Sequence, residues 1–330
     1  MLSEIAPKLI AGQRPPVGAY DADITILCYN RLEETKQAIA SAQAQRGCSA
    51  HISVLDQGSS PDTLRALVRM LSGVNNCALY AVAENIGVAA GRNLLASLGH
   101  GQILVGLDND ACFADRFVVA GAMRAFNRLP ELGALGFAIL TPDGKGPDLS
   151  SWGYADRLLD RYQSKFETTR FVGAGYAIRR SAWASVGGFD ENFFFTWEEY
   201  DFCLSAISRG WRIIYDGRLK VLHATAGEAR VAWRGERMRH YVRNRLIIGR
   251  KWHQPVLALL LFCCAYAMIA ARHGCLSAAW QGMIEARHFP LSSQRRISPA
   301  MHAYLRQHEA RHRDSVFHGL HKKLFIRLPA

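Results

Sequence analysis

The stretch ILVGLDNDACF (Ile103–Phe113) runs five mostly apolar residues straight into two aspartates, Asp108 and Asp110, with a single asparagine between them. The apolar run reads as a buried strand. Carboxylates are expensive in a core, so this strand has to end at water or at a ligand. Asp and Asn are ordinary turn residues, and two aspartates at i and i+2 do not by themselves choose between a turn and a cation site. The second reading has a clear chemistry. Mg²⁺ and Mn²⁺ prefer oxygen ligands and tend to share them with substrate phosphates.

Strand patterns alternate with helical ones on the N-terminal side of this stretch. DITILCYN ends a strand in 21–30, and RLEETKQAIASAQAQ (31–45) has apolar residues at helical spacing. HISVLDQGSS (51–60) is a second strand and turn. PDTLRALVRMLSG is a helix with Pro61 near its start and Gly73 at its end. CALYAVA (77–83), GVAAGRNLLASLG (87–99) and QILVGLD (102–108) continue as strand, helix and strand. This alternation predicts an α/β fold with a parallel sheet covered by helices on both faces. In such sheets ligands bind past the carboxyl ends of the strands. Asn30, Asp56 and Asp108 all fall at that edge.

Residues 133–223 are less regular. LGALGFAIL and RFVGAGYAIRR read as strands, and WEEYDFCLSAISRG as a helix ending at Gly210. WRIIYD and LKVLHA read as two short strands. From Arg234 onward helical patterns dominate.

The chain has 330 residues, 49% of them hydrophobic and 21% charged, enough for a substantial core. The start, MLSEIAPKLIAGQRPP, lacks a basic head followed by a long apolar run, so no secretory leader is expected. The eight cysteines are scattered without C-x-x-C spacing, which argues for reduced thiols rather than a disulfide or zinc framework. The net charge of +12 is uneven. Ala226–Ala330 holds 18 Lys/Arg against 5 Asp/Glu, whereas the first 225 residues hold 22 against 23. The excess points to a polyanionic partner for the last third: a membrane surface, a nucleic acid or an anionic lipid-linked substrate.

Taken in order, ITILCYNR, ISVLDQGSSPDT, ENIGVAAGRN, LVGLDND, VGAGYAIRRSAWASVGGFDENFFFTWEEYDFCLSAISRGW and VLHA resemble family 2 glycosyltransferases, from about Ala22 to Ala226. The resemblance implies a GT-A fold: a Rossmann-like, mostly parallel central sheet with helices on both faces, here followed by a C-terminal helical extension. It also implies an inverting, metal-dependent glycosyltransferase. Such an enzyme moves a hexosyl or deoxyhexosyl group from a nucleotide-diphosphate donor to an acceptor hydroxyl, here on a lipid-linked or cell-surface glycan precursor. By the same resemblance Asp56 contacts the nucleobase. Asn85, Gly87, Arg92 and Asn93 line the nucleotide-sugar pocket. Asp108 and Asp110 hold Mn²⁺ or Mg²⁺ on the diphosphate, and His223 completes the metal site. In TWEEYD, Glu199 is the expected base, Glu198 an acceptor-hydroxyl binder, and Asp201 a structural or acceptor-side residue. Trp197 stacks on an acceptor sugar or simply packs. Cys28, Gln57 and Pro61 depart from the family's usual residues, and these departures bear on nucleotide identity.

The chemistry stands apart from the resemblance. Cleaving a nucleotide–sugar bond leaves new negative charge on a diphosphate, which a clamped cation offsets. The attacking hydroxyl must lose a proton, which calls for a carboxylate on the opposite face of the sugar. Acidic residues are also at home in a helix's first turn for dipole reasons alone.

Residues 1–225 are therefore expected to form the nucleotide-sugar-binding and catalytic domain, and 226–330 a basic helical region. Within the latter, RHYVRNR (239–245) matches a segment of rhamnosyltransferase-like members. PVLALLLFCCAYAMIAA (255–271) is apolar on all sides but shorter than the roughly 20 residues a spanning helix needs. Its basic flanks, Arg250, Lys251 and Arg272, suit peripheral docking on an anionic membrane surface. Packing on the catalytic domain is the other reading. The expected location is cytoplasmic, at the inner face of the cytoplasmic membrane.

Three rivals were weighed. HEARHRDSVFH (308–318) fits a zinc-protease pattern except for Ser315, but it is very polar and sits in a His-rich tail. A nucleic-acid- or membrane-binding protein without transferase activity would explain the charge but not the acidic pairs. A sugar nucleotidyltransferase would need a Gly-rich basic loop after the first strand, and CYNRLEE is not one.

Overall fold

The computed structural model describes residues 6–224, 235–291 and 297–312, with side chains as far as Glu309 in the last segment. In chain order the elements are β1 (Lys8–Gly12), β2 (Ala22–Cys28), α1 (Leu32–Gln43), β3 (Ala50–Gln57), α2 (Pro61–Leu71), β4 (Cys77–Val82), α3 (Val88–Leu98) and β5 (Ile103–Asp108). Then come β6 (Ala111–Phe113), α4 (Val118–Arg128), β7 (Leu132–Leu140), β8 (Lys165–Thr168), β9 (Gly175–Arg179), α5 (Arg180–Val186), α6 (Glu198–Ile207) and β10 (Arg212–His223). Four helices follow: α7 (Gly235–Lys251), α8 (Val256–Arg272), α9 (Leu276–His288) and α10 (Pro299–His312).

The strands form one sheet in the order β1-β4-β3-β2-β5-β9-β7-β10-β6, with β8 on β10. The run β4-β3-β2-β5 is parallel, as is β7 with β10, while β9 enters antiparallel between β5 and β7. The parallel run coincides with the stretch where strand and helix alternate in sequence. The antiparallel insertion coincides with the irregular middle.

Period-two alternation sends each strand's residues to opposite faces. Ile24, Ile26 and Cys28 of β2 and Ile103, Val105 and Leu107 of β5 pack under α1, α2 and α4. Leu104 faces a second core, which also holds Ala89 of α3, Phe202 of α6, Met238 and Ile247 of α7, and Ile269 of α8. The C-terminal helices thus share a continuous apolar core with this face of the sheet. Helix α2 begins as its sequence predicts: Ser60 Oγ accepts from Thr63 N at 3.3 Å and Pro61 opens the first turn.

Two details differ from the sequence reading. WRIIYD and LKVLHA are one twelve-residue strand, β10, with a register irregularity between Asp216 and Lys220 where Gly217 breaks the pattern. RFVGAGYAIRR is extended in the sheet only from Gly175.

Candidate active site

The sheet register sets the rim. Cys28 pairs with Asp56 on one side, and Leu27 pairs with Asp108 on the other. Asp56 and Asp108 therefore end strands that flank β2, about 10 Å apart at the usual strand spacing. Asp56 is 1% exposed. Its Oδ2 accepts from Ser59 N at 3.2 Å, whereas Oδ1 is buried with no hydrogen-bond partner among the described residues. A buried acceptor left open in this way is costly unless a ligand donor meets it.

After Asp108 the chain turns and returns as β6, which pairs antiparallel with the end of β10: Ala111 lies opposite His223, and Ala224 N donates to Asp110 O at 2.8 Å. This pairing brings Asp108, Asp110 and His223 together, with one ligand atom from each lying within 4.8 Å of the others. His223 Nε2 is 3.3 Å from Asp110 Oδ1, and its Nδ1 is 3.0 Å from Asp148 Oδ2. With the Nδ1 proton given to Asp148, Nε2 and the Asp110 oxygen are both acceptors, an arrangement a cation satisfies. Two carboxylates and one imidazole are a donor set suited to Mn²⁺ or Mg²⁺, and a carboxylate orienting the imidazole is the usual support for a metal-binding histidine. Burial opposes ionisation of Asp148, but His223, Ser150 and Ser151 outweigh it and hold its carboxyl well below the usual range.

Two arginines stand behind this corner. Arg92 of α3, 3% exposed, donates to Asp108 Oδ1 at 3.0 Å, to Leu107 O at 3.1 Å and to Thr25 O at 2.5 Å. Arg31 donates to Asp110 Oδ2. Arg31 and Asn30 both have left-handed backbone, φ 54° and 57°, at the bend between β2 and α1. The bend is stitched by near neighbours: Asn30 N donates to Ser59 Oγ at 2.8 Å, and Ser60 N donates to Asn30 Oδ1 at 3.0 Å.

Among the donor-pocket candidates, Asn85 Oδ1 accepts from Gly87 N at 2.9 Å. Gly87 has φ 87°, and a Cβ there would come within 2.6 Å of Phe194 O. Only glycine permits the turn and the close approach. Val88 N then donates to Phe194 O at 2.7 Å. Asn93 exchanges hydrogen bonds with Phe189 N and O at 2.9 Å and donates to Glu191, pinning the segment that leads to Phe194.

That segment ends in a second left-handed bend, Thr196 (φ 70°) and Trp197 (φ 74°), immediately before α6. Left-handed backbone costs about 1–2 kcal/mol per non-glycine residue, and a β-branched threonine there is an outlier. Glu198 and Glu199 are the first two residues of α6. A Cβ at Gly173 would come within 2.2 Å of Glu199 Oε1, so the small residue in FVGAGYAI makes room for this carboxylate. Burial pushes Glu199 up to about 7, with Asp108 adding to the rise and Arg92 opposing it. Burial and the Glu199 charge also raise Glu198 well above the usual glutamate range, and its Oε2 is buried with no hydrogen-bond partner among the described residues. Tyr176 and Cys203 also feel the Glu199 charge. Both glutamates feel the Asp108 charge, which places them within electrostatic range of the Asp108–Asp110–His223 cluster.

The other two candidates are engaged elsewhere. Asp201, 3% exposed, accepts from Lys251 Nζ at 2.6 Å and from Trp252 Nε1 at 3.3 Å. The Trp197 ring contacts Tyr200 and Tyr241 and lies under Arg245, while its Nε1 is buried without a hydrogen-bond partner among the described residues. Arg31, Asp148 and Asn244 were not singled out from sequence. Arg31 sits in the quoted CYNR motif, whereas Asp148 lies in the irregular middle, where no spacing marks it.

The protease-like motif has a different use. His308 Nε2 is 3.2 Å from Glu167 Oε2, and Glu309 accepts from Tyr200 OH at 2.9 Å. Its first histidine and its glutamate fasten α10 to the sheet and to α6. Ser315 and His318 lie outside the described residues.

Comparison with known proteins agrees with this geometry. The family model for Glycosyl transferase family 2 matches residues 23–187, half of the chain. An uncharacterized protein of Haemophilus influenzae is 26% identical over 168 residues, covering 50% of this chain and 90% of its own length. The N-acetylglucosaminyl-diphospho-decaprenol L-rhamnosyltransferase of Mycobacterium tuberculosis is 28% identical over 212 residues, covering 53% of this chain and 67% of its own. Among solved structures, the mannosyltransferase PcManGT of Pyrobaculum calidifontis, in complex with GDP-Man and Mn²⁺, superposes with a TM-score of 0.54 at 19% identity. The match covers 91% of this chain and 84% of that one. Staphylococcus aureus TarS 1–349, in complex with UDP-GlcNAc, gives 0.52 at 14% identity over 69% and 66%. At these identities the two structures establish a shared GT-A fold. The reading of a binding protein without transferase activity falls, because the matched family is enzymatic: this chain is a glycosyltransferase and belongs to glycosyl transferase family 2.

Proposed function

We propose that this protein is an inverting, metal-dependent glycosyltransferase that uses Glu199 as its base. The observation carrying the proposal is the cluster of Asp108, Asp110 and His223, one ligand atom of each lying within 4.8 Å of the others; the charge of Asp108 is also felt by the two buried glutamates that open α6. Asp56 Oδ1 accepts a nucleobase N–H. Asn85 and Gly87 shape the donor loop, with Asn93 holding the segment behind it and Arg92 fixing Asp108. Asp108, Asp110 and His223 would hold Mn²⁺ or Mg²⁺, which, when bound, offsets charge on the donor diphosphate.

The chain's own residues do the rest. Glu199, tuned near neutrality by burial, takes the proton of an acceptor hydroxyl. The oxygen attacks the anomeric carbon as the bond to the diphosphate oxygen breaks, and that bond's electron pair leaves with the diphosphate. Attack from the opposite face inverts the centre. Glu198, held protonated, donates to an acceptor oxygen. Trp197, whose N–H is buried without a hydrogen-bond partner among the described residues, is assigned to the acceptor, and Asp201 braces α6.

We take residues 1–225 as the donor-binding and catalytic unit and 226–330 as a helical extension that packs on it and meets an anionic membrane surface. Helix α8 exposes Val256, Leu257, Leu260, Leu261 and Met268, and α9 exposes Leu276, Trp280 and Ile284. Between Trp252 and Ile284 there is no Asp or Glu, and Arg272, His273, Arg287 and His288 flank the exposed residues. Apolar faces with basic edges suit anionic headgroups. Among the described residues no helix is long and apolar enough to cross a membrane. A lipid-linked acceptor at the inner face of the cytoplasmic membrane fits this surface, and the mycobacterial relative's name points to an acceptor of that kind.

The test is a thermal-shift panel of UDP, dTDP and GDP with and without Mn²⁺. One nucleotide should stabilise the protein in a Mn²⁺-dependent way, and Asp110→Asn should abolish the Mn²⁺ dependence. No stabilisation by any of the three would sink the donor assignment.

A further inference from the structure

The base-bearing helix begins from a bend that its own segment does not hold. Thr196 and Trp197 are consecutive left-handed residues, neither is glycine, and the Thr196 hydroxyl is buried without a hydrogen-bond partner among the described residues. The partner of this bend comes from α7. Asn244, 0% exposed, donates from Nδ2 to Phe195 O at 2.9 Å and to Thr196 O at 3.0 Å. One amide thus clamps the carbonyl of the residue before the bend and that of its first residue, three and two residues before Glu198. Its own Oδ1 accepts from Arg243 Nη1 at 2.8 Å, and Arg243 in turn donates to Asn192 O at 3.0 Å. The neighbouring Arg245 lies over the Trp197 ring, 5.8 Å from its centroid.

A buried amide facing two adjacent carbonyls sets backbone direction rather than merely filling space. The first turn of α6 has no side-chain cap from Trp197, so the direction in which Glu198 and Glu199 leave the bend depends on those carbonyls. A base displaced by about 1 Å from its working position loses on the order of 100-fold in rate.

We propose that Asn244 is a positioning residue for the base: by holding the Phe195 and Thr196 carbonyls it fixes the left-handed start of α6 and with it the aim of Glu199. This makes α7, outside the segment matched by the family model, part of the catalytic apparatus. The inference rests on the reading of Glu199 as base, and the experiment separates the two.

Asn244→Ala removes both donors, and Asn244→Ser restores one. Activity is measured with the sugar donor of whichever nucleotide stabilises the protein with Mn²⁺. Asn244→Ala should lower kcat by about 100-fold and leave the donor KM within about twofold. Asn244→Ser should recover part of the loss. A second readout needs no donor. The pH-dependent part of the stability that Glu199→Gln removes should shrink in the Asn244→Ala background, because a re-aimed carboxyl sits in a different environment. A residue acting only on stability would lower the melting temperature without splitting kcat from KM and without changing that pH-dependent part. If Asn244→Ala does not fold, Asn244→Ser is read in its place. A folded variant with kcat within threefold of wild type overturns the proposal. Full activity in Glu199→Gln would instead overturn the base assignment on which it rests.

Discussion

The two left-handed bends flank the site, and they are held in different ways. The bend at Asn30–Arg31 lies on the donor side and is stitched by Ser59 and Ser60, from the next strand–helix unit. Asparagine tolerates this backbone, and the bend delivers Arg31 to Asp110. The bend at Thr196–Trp197 lies on the base side, uses residues poorly suited to it, and is held by Asn244 from 48 positions further along the chain. The bend at Asn30–Arg31 is therefore held by its neighbouring strand–helix unit, whereas the bend before α6 depends on α7. Changes on the donor side should act on nucleotide binding, and changes on the base side should act on the chemical step.

The largest effect should come from the base. Glu199→Gln should lower kcat by about 10³-fold while leaving Mn²⁺-dependent stabilisation by the nucleotide intact; loss of binding instead would break the division between the sides. The same residue fixes a pH signature. Because burial raises its pKa to about 7, kcat/KM should climb as pH rises through that value. Stability should move the other way: the protonated form is the one the fold favours. Its contribution is complete below about pH 4.5, the ordinary glutamate value, and is lost as pH rises through about 7. Parallel rate and melting curves from pH 5 to 8 would reveal the opposed slopes; Glu199→Gln should remove the rate limb and make the stability slope shallower, with Glu198 keeping part of it.

On the donor side, His223→Ala should weaken Mn²⁺-dependent nucleotide stabilisation by about 10- to 100-fold in apparent affinity and leave the pH limb near 7 in place. A shifted limb would mean the metal corner and the base are more tightly linked than the comparison allows. The smallest effect on the folded core belongs to the outer face of α8. Leu257→Ser with Leu261→Ser should change stability by less than about 0.5 kcal/mol per site yet abolish flotation with phosphatidylglycerol vesicles. Undiminished flotation would remove α8 from the membrane reading.

Much of the donor side could be read in the sequence because it is built from strand ends. Ile103–Asp108 announces its own termination, and Asp56 and Asp108 follow from alternation of strand and helix. The pairing of β6 with β10, which delivers His223 to Asp110, was signalled only by the family-like order of motifs, because contacts between strands more than a hundred residues apart leave no local periodicity. The glutamates of α6 could be seen, but not the burial that raises both of them, which comes from packing between distant segments. Asn244 sat in a quoted motif without a role, since its partners are backbone carbonyls that no side-chain pattern encodes. The basic excess of the last third was visible as a sum. The structure divides it among inward contacts such as Lys251 with Asp201, aromatic stacking such as Arg245 on Trp197, and the residues flanking the exposed apolar faces.

Arg31 and Arg92 carry a last consequence. Arg31 stands against Asp110 and Arg92 against Asp108, so these four side chains together have no net formal charge. A free dication approaching this corner meets compensated acids and gains little long-range attraction. Only a ligand bringing fresh anionic oxygens tips the balance. The expected consequence is that Mn²⁺ alone should raise the melting temperature less than Mn²⁺ added together with a nucleotide diphosphate.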